Sequence, residues 1–253
     1  MTLAIAIAGK GGTGKTTFAA LTVKYLIETG RGPVLAIDGD PSSNLNWALG
    51  LELRETVGQI REETGTQVSS GTFRTDISKP DWFAYRVNEC LVESEGVDLL
   101  AMGRPEGPGC YCAANNMLRH CIDTLGSDYP YVVIDNEAGM EHISRQTTRD
   151  IALLFIVSDP THRGLTAARR MVELTKELGT RIERSYLVVN NVVGELPATF
   201  RQRAEALGIP LLGTLPHDQK VMEYDLIGRA LVELDDSSLI YPAVKALLRR
   251  VPL

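Results

Sequence analysis

One stretch of the chain combines residue types that suit the handling of phosphate. It reads Gly9-Lys10-Gly11-Gly12-Thr13-Gly14-Lys15-Thr16-Thr17. Glycines let backbone N–H groups turn inward and approach an anion closely. Lys15 adds a full positive charge, and the Thr16 hydroxyl suits a Mg²⁺ ion. Gly9, Gly14, Lys15 and Thr16 fill every fixed position of the pattern G-x-x-x-x-G-K-[ST]. That pattern has meaning only between a strand and a helix, and both are expected here. Leu3 to Ala8 is an apolar run of strand length, and the residues after Lys15 have helical periodicity through Tyr25 and Leu26. The helix N-terminus would add its partial positive charge to the loop. The stretch predicts binding of a nucleoside triphosphate.

Three carboxylates are placed to serve that phosphate. Asp38-Gly39-Asp40-Pro41 follows the apolar run Val34 to Ile37, and Asp135 closes Tyr131-Val-Val-Ile. Ligands of open parallel sheets bind at such strand ends. Hydrolysis needs a group that orients water in line with the γ-phosphate, and Mg²⁺ needs oxygen donors. Asp38 and Asp40 are candidates for these tasks, and Asp135 is placed to hold Mg²⁺ through water. An Asp-Pro turn or a helix cap is the simpler reading of the same residues. For the nucleoside, Asn190 closes the run Leu187 to Val189 and offers both a donor and an acceptor to a base edge. Guanine recognition would want N-K-x-D, and Asn190-Asn191-Val192-Val193 is not that string. ATP, with ADP as product, is therefore expected.

A second chemistry is suggested by Gly107-Pro108-Gly109-Cys110-Tyr111-Cys112. Residues two apart face opposite ways on a strand, so chelation by Cys110 and Cys112 needs irregular backbone, which Gly and Pro supply. Cys112 is expected at a helix N-terminus, where the dipole favours the thiolate. Two thiolates make half of a tetrahedral site. Cys121 lies roughly 13 Å further along the expected helix, too far to join. A homodimer could supply the other half across its two-fold axis. A soft metal ion, Zn²⁺ among them, suits such a site, and two buried cysteines or a local redox pair remain the alternatives. Cys90 and Cys121 read as core residues. The histidines (His120, His142, His162 and His217) show no ligand spacing.

These groups must be carried by a frame. Strands are expected at 3–8, 34–38, 98–102, 131–135, 152–157, 186–190 and 211–215. Helices are expected from Lys15, at 44–49, 81–93, 113–125, 165–178, 198–207 and 219–230. Near-continuous apolar strands alternating with amphipathic helices predict an α/β fold, a mostly parallel sheet with helices on both faces. Leu51 to Lys79 lacks periodicity and reads as a mobile excursion. The 253 residues fit one domain spanning 1–253. A net charge of −6 argues against general binding of nucleic acid or anionic membranes. No stretch has the length of a membrane span and no secretory leader is visible, so a cytoplasmic protein is expected.

The string GKGGTGKTT resembles the deviant Walker A loop of the MinD/ParA and nitrogenase iron-protein ATPases. The resemblance implies that Lys10 reaches the partner subunit's nucleotide and stabilises transferred charge. It also implies that Asp40 positions water and that Gly139, in Asp135-Asn-Glu-Ala-Gly139, senses the γ-phosphate with its N–H. Leu215-Pro216-His217-Asp218 resembles the family's P-x-D loop, so Pro216 and Asp218 join Asn190 at an adenine pocket. With Cys110-Tyr-Cys112 added, the chain is similar over nearly its whole length to the nickel-inserting ATPases that mature carbon monoxide dehydrogenase and acetyl-CoA synthase (the CooC/AcsF family). That likeness implies a nucleotide- and metal-dependent homodimer delivering nickel to a client enzyme. An iron-protein-like reductase would want a cysteine just after Gly139, and Met140-Glu-His-Ile143 has none. A positioning ATPase of the MinD kind would use a terminal amphipathic helix on membranes, and Leu239 to Val251 has an apolar face with Lys245, Arg249 and Arg250.

Overall fold

The computed structural model describes residues 2–73, 76–103, 125–137, 150–177 and 181–253. Gly139, Cys110, Cys112, Cys121 and the helix expected from Ala113 fall outside them. The described residues form eight strands: β1 (Leu3–Gly9), β2 (Val34–Asp38), β3 (Val92–Ser94), β4 (Val97–Ala101), β5 (Tyr131–Asp135), β6 (Asp150–Ser158), β7 (Arg181–Val192) and β8 (Leu211–Pro216). They make one sheet in the order β3-β4-β2-β5-β1-β6-β7-β8. Only the β3–β4 pair is antiparallel; the others are parallel. The chain builds outward from β1 through β2 to β4, returns to β5 beside β1, then crosses to β6 and beyond. The winding therefore reverses at β1, and the carboxyl ends of β1, β2 and β5 open into one crevice.

Among the described residues the α-helices are α1 (Lys15–Glu28), α2 (Leu45–Leu49), α3 (Val57–Ser69), α4 (Lys79–Cys90), α5 (His162–Glu177), α6 (Ala198–Glu205), α7 (Gln219–Leu226) and α8 (Ile240–Leu248). Alternation along the strands divides the core between two faces. Ile5, Ile7, Ala36, Val133 and Phe155 pack on one side with Phe18 of α1, Leu45 of α2 and Val244 of α8. Ala6, Ala8, Leu154 and Ile156 pack on the other with Leu165 of α5 and Phe200 of α6. Leu35, Ile37 and Ile134 continue that second face under Ile60 of α3 and Phe83 of α4. Phe18 meets Phe155 edge-on at 5.3 Å between centroids, which fixes α1 against the centre of the sheet.

The structure corrects the reading of residues 51–79. α3 occupies much of the expected excursion, started by a capping box in which Thr56 and Gln59 satisfy each other's backbone N–H. The next helix begins earlier than expected, with Ser78 accepting from the Asp81 N–H and Pro80 in the first turn. It ends at Cys90, because Leu91 is extended and Val92–Ser94 pairs with β4. β7 runs five residues upstream of the expected strand and pairs there with β6 alone. α7 stops at Leu226 rather than at residue 230, since Gly228 turns the chain at φ +67°. The amphipathic C-terminal segment is a docked helix, α8, whose Ile240, Tyr241, Val244, Leu247 and Leu248 are buried in the main core.

Candidate nucleotide site

β1 delivers the glycine-rich loop to the crevice and α1 leaves it. Gly9 sits where a Cβ would lie 2.3 Å from the Val157 carbonyl oxygen, so β1 and β6 close tightly at its exit. Gly14 caps α1 in the left-handed region at φ 87°, a conformation that costs other residues strain. Thr13 closes the loop on itself, its hydroxyl donating to the Lys10 carbonyl at 2.8 Å. Asn190, at the far side of the crevice on β7, donates from Nδ2 to the Thr13 carbonyl at 2.9 Å. A Cβ on Gly14 would stand 2.2 Å from that amide, so the glycine makes room for the brace. Lys15 is 8% exposed, whereas Lys10 is exposed.

The Thr16 hydroxyl donates to Asp135 Oδ2 at 2.6 Å, joining the first turn of α1 to the end of β5. Asp135 is buried, and its Oδ1 has no hydrogen-bond partner. Burial pushes this carboxyl up to about 7, the Thr16 hydrogen bond opposes it, and the charge of Asp38 adds to it. Asp38 is level with Asp135 on the neighbouring strand and is itself buried. Burial pushes Asp38 up to about 6 although the backbone N–H groups of Leu45, Asp40 and Asn44 stabilise its charge. Its Oδ1 accepts from Asp40 N at 3.0 Å and its Oδ2 from Leu45 N at 2.8 Å. Asp38 thus caps α2, whose own N-cap Asn44 makes no side-chain cap. Asp40 is half-buried, and its Oδ1 accepts from Ser42 N at 2.8 Å. Asn136 was not singled out from the sequence, yet it locks the same corner by donating from Nδ2 to the Ile7 carbonyl at 2.9 Å.

An orphaned buried carboxylate oxygen beside a threonine hydroxyl, at the mouth of an N–H-lined loop, is a donor set that fits Mg²⁺. The nucleoside side is a cavity of about 250 Å³ lined by Gly12, Gly14, Thr17, Asn190, Asp218 and Met222, with Asn191, His217, Val221 and Ile240. Asn190 keeps a buried Oδ1 without a partner there. Asp218 has little left to offer a base: Oδ1 takes Lys220 N at 3.0 Å, and Oδ2 takes Leu239 N at 2.6 Å and Ile240 N at 2.9 Å. It clasps the starts of α7 and α8. Pro216 ends β8 outside the cavity lining. A second cavity of about 470 Å³ runs from Thr16 and Thr17 to Trp47 of α2 and Met222 of α7, neither of which the sequence had marked.

Among the described residues no three His, Cys, Asp or Glu side chains converge as a metal site. Cys90 is buried, its thiol pushed up to about 12 chiefly by burial and donating to the Val87 carbonyl at 3.2 Å. It is a packed neutral thiol.

The fold and this site define the P-loop class of nucleotide-binding α/β proteins. Residues 4–231 match the CobQ/CobB/MinD/ParA nucleotide binding domain, and the chain belongs to that family, whose members are ATPases. An uncharacterised ATP-binding protein of Methanocaldococcus jannaschii is 41% identical over 247 residues, covering 98% of this chain and 97% of the relative. The carbon monoxide dehydrogenase accessory protein CooC of Rhodospirillum rubrum is 32% identical over 267 residues, covering 98% and 97%. In fold, the chain is similar to a ParA family ATPase from Chlorobium tepidum, with a TM-score of 0.74 at 19% identity, covering 98% of each chain. It is also similar to MinD complexed with Mg-ADP from Pyrococcus horikoshii, with a TM-score of 0.70 at 23% identity, covering 99% and 96%.

Proposed function

We propose that this chain is a Mg²⁺-dependent ATPase that works in the cytoplasm as a homodimer of single domains and handles a soft metal ion for a nickel enzyme. The observation that carries the ATPase half is the Thr16–Asp135 pair, with its open Oδ1, beneath the phosphate loop. Thr16 and Asp135 would hold Mg²⁺, which supplies positive charge to the phosphates. Lys15 and the loop N–H groups bind the β- and γ-phosphates, and Gly139 reports on the γ-phosphate. Asp40, standing on the turn that Asp38 anchors, orients water. Lys10 stabilises developing charge in the partner's site. Asn190 offers its free Oδ1 to the exocyclic amine of adenine.

The dimer is supported by what surrounds the site. Trp47 is 71% exposed, Met222 56%, Leu226 82% and Ile227 73%, and Trp47 and Met222 line the second cavity. Large apolar side chains grouped at a ligand's rim call for cover. The metal half rests on Cys110-Tyr-Cys112 and on full-length likeness to CooC. Two such loops on a two-fold axis make a four-thiolate site for Ni²⁺ or Zn²⁺ as cargo, and ATP turnover alters the geometry between them. The client is carbon monoxide dehydrogenase or acetyl-CoA synthase. A membrane-positioning role is less well supported, because the apolar residues of α8 already lie in the core.

The test is mass measurement during titration with Ni²⁺ or Zn²⁺, in ADP, in ATP and without nucleotide, followed by transfer to an apo nickel enzyme. A metal-bound dimer that Cys110→Ser or Cys112→Ser abolishes is expected. Unchanged metal content in both variants, or a monomer under every condition, overturns the proposal.

A further inference from the structure

On the face opposite α1 there is a cavity that shares no residue with the nucleotide site. It measures about 290 Å³ and lies between His162, Leu165, Thr166 and Arg169 on one side and Arg203 and Leu207 on the other. Leu165 and Leu207 are buried and form an apolar floor. Arg169 and Arg203 are exposed, come from different helices, and have no hydrogen-bond or ion-pair partner among the described residues. Two helices that pack only for stability would be expected to pair such charges or separate them. Here α5 and α6 carry six Lys or Arg against three Glu, on a chain whose net charge is −6. The positive charge is therefore concentrated on this layer.

We propose that this cavity is the docking point for an acidic segment of a protein partner, which sets a carboxylate between Arg169 and Arg203 and an aliphatic side chain against Leu165 and Leu207. A guanidinium is planar and forks onto a carboxylate, so two of them on separate helices fix position as well as charge. The apolar floor gives the segment a hydrophobic anchor ringed by polar groups, the usual anatomy of an interface centre. Nucleic acid is the poorer fit. A strand of bases wants large exposed aromatic rings to stack on, and the one Phe, Tyr or Trp of these two helices, Phe200, is buried. A polyphosphate would also meet the chain's overall negative charge along its whole length, whereas a short acidic segment meets it only locally.

The probe is a fluorescein-labelled peptide of alternating Glu and Leu, read by anisotropy on the full chain. Controls are the Gln-for-Glu peptide and a labelled oligothymidylate. Binding that weakens with salt and survives saturating ADP is expected. Arg169→Glu/Arg203→Glu should weaken it about tenfold or more, and Arg169→Gln/Arg203→Gln should weaken it less, while ATP turnover stays unchanged in both. Equal binding of the Gln peptide, equal binding by the charge-reversed variant, or tighter binding of the oligonucleotide through the same arginines overturns the proposal.

Discussion

Asp135→Asn should make the nucleotide-free protein more stable in mild alkali, although it removes a charge from the heart of the site. The unfolded carboxyl gives up its proton near 3.8, while the folded one holds it to about 7. Between those values the folded chain binds more protons, so stability declines as pH rises through the interval and stays low above it. The displacement corresponds to a penalty of about 4 kcal/mol on the folded carboxylate. Asp38 stands level with it and shares the repulsion, so relief of about 2 kcal/mol is the realistic gain from Asn. The amide oxygen can still accept from the Thr16 hydroxyl, so the substitution leaves no broken contact. For a chain of 253 residues the gain is a rise in Tm of roughly 4–8 °C at about pH 8. The advantage should fall by more than half at about pH 5, where wild type is already largely protonated. Calorimetry at both pH values, without Mg²⁺ or nucleotide, measures it. Mg-ATP should then stabilise wild type and not the variant. A variant no more stable than wild type at the higher pH, or one whose advantage is the same at both, would refute the reasoning.

Lys15→Ala should abolish nucleotide binding by calorimetric titration, since the loop's other charge, Lys10, is exposed to solvent. Lys10→Ala should spare binding and lose hydrolysis, and an equal loss of both would contradict a role across the dimer. Gly14→Ala forces a Cβ to within 2.2 Å of Asn190 Nδ2 at φ +87° and should cost about 1–3 kcal/mol in chemical denaturation. Asn190→Ala removes the obstacle but strips the Thr13 carbonyl of its donor, for about 1 kcal/mol. The double variant should therefore cost less than the sum of the two, and strict additivity would show that the amide does not brace the loop.

The phosphate loop was readable because all its information is local: nine consecutive residues between a strand and a helix. The parallel sheet was readable for a similar reason, since strands buried on both faces are nearly all apolar. Long-range pairing was not. Nothing in the sequence says that Asn190 donates to Thr13, 177 positions away, or that Asp218 spends its carboxylate on Leu239 and Ile240. The start of β7 was hidden because β8 pairs only from Leu187 onward. Arg181 to Ser185 therefore forms an edge, where polar side chains are tolerated and the apolar signal vanishes. α3 was a different failure. Its capping box, Thr56-x-x-Gln59, is local, but an apolar stripe of only Val57 and Ile60 leaves no helical period to follow it.

The two buried aspartates look equivalent in sequence, each ending an apolar strand, and geometry separates them. Asp38 has both oxygens committed to backbone N–H groups of Asp40 and Leu45. Removing either partner to reach a cation would expose an N–H at the head of α2 and release the turn that carries Asp40. Asp135 spends one oxygen on a hydroxyl that can rotate and leaves the other unused in a place water barely reaches. An unused buried acceptor is destabilising when nothing is bound and becomes favourable when a cation arrives. A cation bound at Asp135 would thus relieve a cost already present in the fold. On the proposed roles, a cation at Asp135 would also ease the repulsion between it and Asp38, which anchors the turn carrying Asp40, so cation binding and the placing of water would be linked.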